Sequence, residues 1–139
     1  MTGEKVKPTP NVLLFGATGT AGQGVCRALK RAGYMVTCVL RDGQSLPHAA
    51  QSLHADISQP MPQILGQFDA VISCVASRSG GRADAWAIDH AAQMNILEVA
   101  QRLQAKQFIL LSAICVQNPK LPFQFAKLAF EKALMASGL

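Results

Sequence analysis

The stretch Asn11-Val-Leu-Leu-Phe-Gly16-Ala-Thr-Gly19-Thr-Ala-Gly22 joins an apolar run typical of a buried strand to a glycine-rich loop. Residues 20–32 then carry apolar side chains at helical spacing. Gly16 permits a tight turn, Gly19 lets the backbone approach a pyrophosphate, and Gly22 allows close packing of helix on strand. A strand, a glycine loop and a helix in this order predict a dinucleotide site at the helix N-terminus. The alternative is that the glycines serve only a tight turn.

The rest of the chain continues the alternation of strand and helix patterns. Further strands are predicted at 34–40, 52–55, 68–75 and 108–112, and helices at 60–66, 82–104 and 123–135. The apolar face of the long helix is predicted to contain Trp86, Ile88, Ala91, Met94 and Leu97. Apolar strands alternating with helices predict an α/β fold, a doubly wound parallel sheet of the Rossmann type with strand order 3-2-1-4-5.

The length of the chain fits one domain, because 139 residues can bury a sizeable core but are too few for two ordinary domains. We expect a loose N-terminal tail at residues 1–10 and an NAD(P)-binding Rossmann domain at residues 11–139. Residues 136–139 fall where a sixth strand normally begins in this fold. We therefore expect the C-terminal lobe that would shape a substrate pocket to be missing, through truncation, excision of a domain or descent as a short relative.

Composition and charge exclude several classes of protein. Half of the residues are hydrophobic and 15% are charged, which argues against disorder. The net charge of +5 fits an anionic partner, but Lys and Arg are scattered, so a phosphate-bearing cofactor explains the charge at least as well as a nucleic acid. We expect a cytoplasmic bacterial protein, because neither a signal or transit peptide nor an apolar run of membrane-spanning length is seen. Peripheral membrane association and a homodimer stay open.

The cysteines and histidines do not form a metal-binding pattern. Cys26, Cys38, Cys74 and Cys115 are widely spaced, without a CxxC pair, and the three His residues have no ligand spacing. No metal site is predicted. Since each Cys lies in an apolar stretch, we expect four buried thiols in a reducing compartment.

The residues after the second strand predict which dinucleotide is bound. NAD-binding proteins place an acidic residue there for the ribose 2′-hydroxyl, whereas NADP-binding proteins place a cation for the 2′-phosphate. Arg41 is the first residue past the strand, and its guanidinium suits the geometry of a phosphate, although Asp42 follows it. We expect NADPH in preference to NADH. The alternative is that Arg41 is a solvated loop cation.

Two more strand ends extend the expected cofactor site. Asp56 and Ile57 follow the third strand and would meet the adenine, while Ala76 and Ser77 follow the fourth and would border the ribose and nicotinamide; each pair could equally be an ordinary strand end. The cofactor-binding residues predicted from these patterns are Gly16, Thr18, Gly19, Thr20, Ala21, Gly22, Arg41, Asp56, Ile57, Ala76 and Ser77.

The glycine spacing, with Ser112 and Lys127, resembles the short-chain dehydrogenase/reductase superfamily, in its atypical or extended form. From Val12 onward the chain is more narrowly similar to the family of divinyl chlorophyllide a 8-vinyl reductases, which reduce the 8-vinyl group of a chlorophyll precursor with NADPH. The stretches that carry this similarity are Ser73-Cys-Val-Ala-Ser-Arg-Ser-Gly-Gly81, Ala87-Ile-Asp-His90, Asn95-Ile-Leu-Glu98, Leu111-Ser-Ala-Ile-Cys-Val-Gln117, Phe123-Gln-Phe-Ala-Lys127 and Phe130-Glu131.

The resemblance implies a catalytic serine at Ser112 and a lysine at Lys127 that holds the nicotinamide ribose. Phe123 stands where the superfamily carries a tyrosine, so ordinary carbonyl chemistry is disfavoured. Reduction of a conjugated C=C bond needs that phenol less, because a macrocycle spreads the charge. The alternatives are a strand-end role for Ser112 and an exposed ion pair between Lys127 and Glu131. Asp89, where extended relatives carry an asparagine, is assigned no chemistry.

Three functions are compatible with these features. The first is an NADPH-dependent oxidoreductase that acts on a C=C bond of a divinyl chlorophyllide-like tetrapyrrole, here as its cofactor-binding portion. The second is a non-catalytic NADP(H)-sensing regulator, and the third is an assembly protein with the same fold. A flat tetrapyrrole needs a large apolar cavity, which the missing C-terminal lobe would form. We therefore expect residues 1–139 alone to bind NADPH weakly and to reduce no vinyl group.

Overall fold

A computed structural model describes residues 3, 9–46 and 51–139 of the chain. The predicted tail at residues 1–10 lies mostly outside these residues. The strands are β1 (Asn11–Phe15), β2 (Met35–Leu40), β3 (Gln51–His54), β4 (Ala70–Ser73) and β5 (Gln107–Leu110). The helices are α1 (Thr20–Arg31), α2 (Arg82–Ala85), the π-helical segment (Trp86–Ala92), α3 (Gln93–Arg102) and α4 (Pro122–Ala136). None of the helices in the described ranges is long and apolar enough to cross a bilayer.

The five strands form one parallel sheet in the order β3-β2-β1-β4-β5, which confirms the predicted doubly wound α/β fold. Phe15 at the end of β1 pairs with Val39 of β2 and Ser73 of β4, so these strands end at nearly the same level. The loops that follow them therefore meet at one edge of the sheet, where doubly wound proteins bind ligands.

The three central strands, β1, β2 and β4, are buried on both faces, as continuous apolar runs predict for a parallel sheet, whereas the edge strands β3 and β5 are more exposed. On one face Leu13 and Phe15 pack with Ile96 and Val99 of α3. The other face, which contains Val12, Leu14, Val36 and Cys38, packs against Cys26, Val25 and Leu29 of α1. The site edge therefore rests on a sheet whose central strands are held from both sides.

The prediction of a helix at residues 60–66 is wrong, because this segment forms turns. The amide of Ile64 bonds to the carbonyl of Met61 at 3.2 Å, and both side chains are buried. Arg102 of α3 donates to those two carbonyls, at 2.9 Å from Met61 and 3.0 Å from Ile64. Tertiary hydrogen bonds thus satisfy carbonyls that a helix would have paired within itself.

The apolar face predicted for the long helix is only partly correct, since Leu97 is buried and Ile88 packs against the core but Ala91 is exposed. Trp86 and Met94 are exposed at 38% and 36%, whereas the row that faces the sheet includes two fully buried polar residues, Asp89 and Gln93. The reason is the π-helical segment, whose i→i+5 hydrogen bonds break the 3.6-residue period on which the prediction rested. A search for apolar periodicity passes over a buried face that contains an acid and an amide.

Other differences are small shifts of boundary. The strands predicted at 68–75 and 108–112 are shorter, as Ala70–Ser73 and Gln107–Leu110. The last helix begins one residue before the predicted start at residue 123, because Pro122 is its first residue, a position where the missing amide proton costs nothing.

Candidate functional site

A cavity of about 550 Å³ opens at the carboxyl ends of the strands. All eleven cofactor-binding residues predicted from the strand ends and the glycine loop line it: Gly16, Thr18, Gly19, Thr20, Ala21, Gly22, Arg41, Asp56, Ile57, Ala76 and Ser77. The fold thus brings together four segments that are far apart in the sequence. Their contacts with a cofactor stay predictions.

The glycine loop is packed too closely for side chains at two of its positions. A Cβ on Gly16, whose φ is +78°, would lie 2.6 Å from the carbonyl carbon of Cys74. A Cβ on Gly22 would lie 1.8 Å from the carbonyl oxygen of Gly16. At Gly19 the nearest atom would be 3.7 Å away, which is ordinary contact. Gly16 and Gly22 therefore serve the turn and the helix–strand contact, whereas Gly19 is free of close protein neighbours.

Helix α1 points its N-terminus into this cavity. It begins at Thr20, with Gly19 as a cap that provides no side-chain acceptor and with no acidic residue in the first turn. The amides of a first helical turn have no acceptor within the helix, and the helix dipole adds partial positive charge. Gln23 holds the loop in place by donating to the carbonyl of Thr18 at 2.8 Å. The arrangement is suited to an anion such as a pyrophosphate.

Arg41 also lines this cavity, directly after β2. Its amide donates to Oε1 of Gln44 at 3.1 Å, and the amide of Gln44 donates to the carbonyl of Arg41 at 3.1 Å. This turn fixes the backbone, while no carboxylate pairs with the exposed guanidinium among residues 9–46 and 51–139. The Arg41 side chain is therefore available to a ligand phosphate.

Asp56 closes a turn of its own at the end of β3. Its Oδ1 accepts hydrogen bonds from the Ser58 hydroxyl at 2.7 Å and the Ser58 amide at 2.9 Å. These two bonds, the hydroxyl's first, hold the pKa of Asp56 below its ordinary value. Asp56 lines the cavity as an ionised acceptor, with one oxygen already engaged by Ser58.

A second cavity of about 360 Å³ continues from the first, because both are lined by Cys74, Ala76, Ser77, Arg78 and Leu111. Its other walls include Ser112 after β5, Phe123 and Lys127 on α4, and Asp89 in the π-helical segment. The two predicted catalytic residues, Ser112 and Lys127, therefore meet in one place beside the expected cofactor site.

Lys127 is buried, with 4% of its surface exposed. Its Nζ lies 3.3 Å from Oδ1 of Asp89, yet makes no aligned hydrogen bond, and the buried Oγ of Ser112 also has no hydrogen-bond partner in the described structure. The alternative of an exposed ion pair between Lys127 and Glu131 is therefore wrong. Two buried polar atoms without partners beside a cavity point to a polar ligand group there.

Asp89 is the residue of this site that sequence reasoning missed. It is fully buried, accepts the Ser77 amide at 3.2 Å and the Ser77 hydroxyl through a short contact, and faces Lys127. One turn later Gln93 accepts from the Ser73 hydroxyl at 2.8 Å and donates to the carbonyl of Val75 at 3.2 Å. The signal in the sequence was the acid Asp89 and the amide Gln93, four residues apart on one helix. A search for apolar periodicity does not detect such a pair.

Comparison with known proteins decides what kind of site this is. A protein family described as NAD(P)H-binding matches residues 16–139. The chain belongs to this NAD(P)H-binding family. The match begins at Gly16, the first glycine of the loop, and includes both cavities' lining residues after Phe15.

Individual relatives of this NAD(P)H-binding chain fall into two groups. Divinyl chlorophyllide a 8-vinyl-reductase of Zea mays is 39% identical over 90% of the chain, which spans 35% of that protein's length. Photosystem II assembly factor Ycf39 of Guillardia theta is 29% identical over 93% of the chain, which spans 43% of it. Among solved structures, UDP-glucose 4-epimerase of Thermotoga maritima matches with a TM-score of 0.76 and 24% identity, covering 90% of this chain and 50% of that one. This last likeness shows the fold.

Phe123 places an apolar ring in the second cavity of the NAD(P)H-binding domain. It is half-buried on α4, where Ala126 and Phe130 are fully buried, and Phe130 packs on Phe108 of β5 with ring centroids 5.8 Å apart. Phe123 cannot give or take a proton. The polar groups available in this cavity therefore come from its other walls.

The cysteines of the domain differ in environment. Cys26 and Cys38 are buried with their sulfurs 3.7 Å apart, and burial, aided by the neighbouring Cys26, raises the pKa of Cys38 to about 12. Burial also raises the pKa of Cys74. The expectation of four buried thiols is confirmed for Cys26 and Cys38 but wrong for Cys115, which is exposed in a turn, while Cys74 is only partly buried. No metal-binding group of His, Cys, Asp and Glu exists among the described residues.

Proposed function

We propose that this chain is the cofactor-binding portion of an NADPH-dependent reductase that acts on the 8-vinyl group of a divinyl chlorophyllide-like tetrapyrrole in chlorophyll biosynthesis. The observation that carries the proposal is the identity of 39% to the Zea mays reductase over 90% of the chain. Because the chain spans 35% of that relative, the activity is proposed for the full gene product rather than for these residues alone.

The choice of NADPH over NADH is supported by Arg41. A 2′-phosphate at the end of β2 would meet a guanidinium that has no carboxylate partner in the described part of the chain. A charged hydrogen bond of this kind contributes about 1.5–3 kcal/mol, or roughly 10- to 150-fold in affinity. NADH has a hydroxyl at this position and would gain much less from the cation.

The residues around the two cavities fit a dinucleotide along their whole length. The amides at the start of α1 would bind the pyrophosphate, and Ile57 would border the adenine. Lys127 and Ser112, whose polar atoms have no hydrogen-bond partner, would bind the ribose and the reacting end. When bound, the cofactor supplies a hydride. The chain's part in the reaction is to orient that end and to surround it with apolar groups.

Phe123 favours reduction of a C=C bond over reduction of a ketone. Reducing a ketone requires an acid at the carbonyl oxygen, and a phenylalanine side chain has no proton to give. A vinyl group conjugated to a macrocycle develops its charge over many atoms, so an acid at this position is less necessary. The half-buried Phe123 ring would then serve as an apolar wall of the second cavity.

A second candidate function is supported by the likeness to photosystem II assembly factor Ycf39, which is 29% identical. A chain that binds NADP(H) without catalysis would keep the glycine loop and Arg41, and would also tolerate Phe123. The lower identity makes this candidate weaker than the reductase.

The test is to mix the full gene product with NADPH and a divinyl chlorophyllide and to follow the absorbance change that accompanies loss of the vinyl group. We expect reduction by the unmodified protein, strong loss of turnover in Lys127→Ala, and nearly full turnover in Lys132→Ala, an exposed lysine on the same helix. NADPH binding without reduction would support the second candidate. Absence of NADPH binding would contradict both.

A further inference from the structure

Asp89 is a fully buried carboxylate on a helix that otherwise faces the sheet with apolar groups and an amide. Burying a carboxylate is costly unless it is paired and hydrogen-bonded, so the groups that satisfy it indicate why it is retained. Those groups are the amide and hydroxyl of Ser77 and the ammonium of Lys127. They come from two different segments, the loop after β4 and helix α4.

Both partners of Asp89 line the proposed nicotinamide end of the site. Ser77 lies in the wall shared by the two cavities, and Lys127 lines the second. The long side chain of Lys127 has several rotatable bonds, so it needs a partner to hold it in one position. Asp89 is its counter-charge among the described residues. One carboxylate therefore fixes two groups that would contact the same half of a dinucleotide.

We propose that Asp89 is a positioning residue that holds Lys127 and the Ser77 loop in the geometry needed to bind the nicotinamide half of the cofactor. The inference rests on the proposed binding of NADPH. Asp89 lines the second cavity, but its carboxylate oxygens are taken up by Ser77 and Lys127, so it acts through these two residues. The π-helical segment is what turns Asp89 toward both of them.

The chain provides a matched control at the opposite end of β4. Asp69 also accepts a backbone amide, that of Asn11 at 2.8 Å, and also faces a lysine, Lys106, at 3.8 Å. It precedes β4, whereas the cavities lie beyond the end of that strand. Asp69→Asn therefore removes a similar pattern of contacts, in a more exposed place, without touching the proposed site.

The experiment compares the dissociation constants of NADPH and adenosine 2′-phosphate 5′-diphosphate (2′-phospho-ADP) for the 139-residue chain and its variants by calorimetry. This reference ligand carries the adenosine, the 2′-phosphate and the pyrophosphate of NADPH but lacks the nicotinamide riboside. We expect Asp89→Asn to weaken NADPH by about 10-fold or more, the loss of a charged contact, and to change 2′-phospho-ADP by less than about 2-fold. Asp69→Asn should change neither. A role confined to folding would weaken both ligands in parallel, and that result would overturn the proposal.

Asp89→Asn leaves the Lys127 ammonium buried without a counter-charge and could prevent folding. The double variant Asp89→Asn/Lys127→Met removes both charges with little change of volume. We expect it to fold, to bind 2′-phospho-ADP normally and to bind NADPH no more tightly than 2′-phospho-ADP. Unchanged NADPH affinity in either variant would overturn the role of Asp89. An unmodified chain that binds 2′-phospho-ADP but gains nothing from the nicotinamide half would instead contradict the proposed function.

Discussion

Substitution of Gly22 by alanine tests the packing of the glycine loop against helix α1. The new Cβ would lie 1.8 Å from the Gly16 carbonyl oxygen, 2.7 Å from its carbonyl carbon and 2.9 Å from the Ala17 Cα, all of them backbone atoms. Because contacts under 3.0 Å essentially never occur for a Cβ, the loop and the helix must separate by more than about 1 Å. Overpacking of this kind costs about 1–3 kcal/mol, and a separation of this size belongs at the upper end.

Gly24 is the matched control, because it lies two residues later on the same helix and a Cβ there would meet nothing within 4 Å. Gly24→Ala should gain about 0.5–1 kcal/mol from helix propensity. The same gain offsets part of the loss at Gly22, so we expect a net loss of about 2 kcal/mol for Gly22→Ala. For a chain of this length 1 kcal/mol corresponds to about 3 °C in Tm.

Thermal unfolding followed by circular dichroism should therefore show a Tm that is lower by about 6 °C for Gly22→Ala and higher by about 1.5–3 °C for Gly24→Ala. Titration with ADP should show weaker binding for Gly22→Ala alone, since only that change displaces the amides at the start of α1. A Gly22→Ala variant as stable as Gly24→Ala would refute the close contact between helix and loop.

Three further expectations concern single side chains. Arg41→Ala should reduce the affinity for NADPH by roughly 10- to 150-fold and leave NADH nearly unchanged, as measured by titration of both nucleotides; equal affinities in the unmodified chain would contradict the assignment. Ser58→Ala should raise the pKa of Asp56 toward its ordinary value of 3.8, as read from the pH dependence of its NMR signals. The pKa is depressed in the folded chain, so the stability that this contact contributes is present above that value and is lost as the pH falls through the folded pKa. Cys115 should react first with a maleimide at neutral pH, and Cys38 should react only on unfolding; early labelling of Cys38 by mass spectrometry would contradict its burial.

The sheet order and the cofactor loop could be predicted because they depend on local patterns. A buried strand reads as an apolar run, and the loop from Gly16 to Gly22 combines steric requirements that glycine alone meets. Arg41 was predictable because it follows a recognisable strand. Each of these features is decided by residues that are neighbours in the sequence.

The features that could not be predicted depend on contacts between distant residues. The turns at 60–66 form because Arg102, some forty residues later, binds the carbonyls of Met61 and Ile64. The pairing of Asp89 with Lys127 joins residues from separate helices and needs a break in helical periodicity that composition does not reveal. Propensity and periodicity describe a segment alone and are overridden where a tertiary contact is stronger.

The π-helical segment at Trp86–Ala92 also has a consequence for descent. Loss of one codon ahead of Asp89 would let the segment relax toward an ordinary α-helix and change the direction of Asp89 relative to its neighbours on the helix. The carboxylate would then turn away from Ser77 and Lys127 in a single genetic event. A lineage that deletes a residue here should soon replace Lys127 as well, because a buried lysine without a counter-charge destabilises the fold. Homologous sequences with and without the extra residue should therefore differ at both helices together.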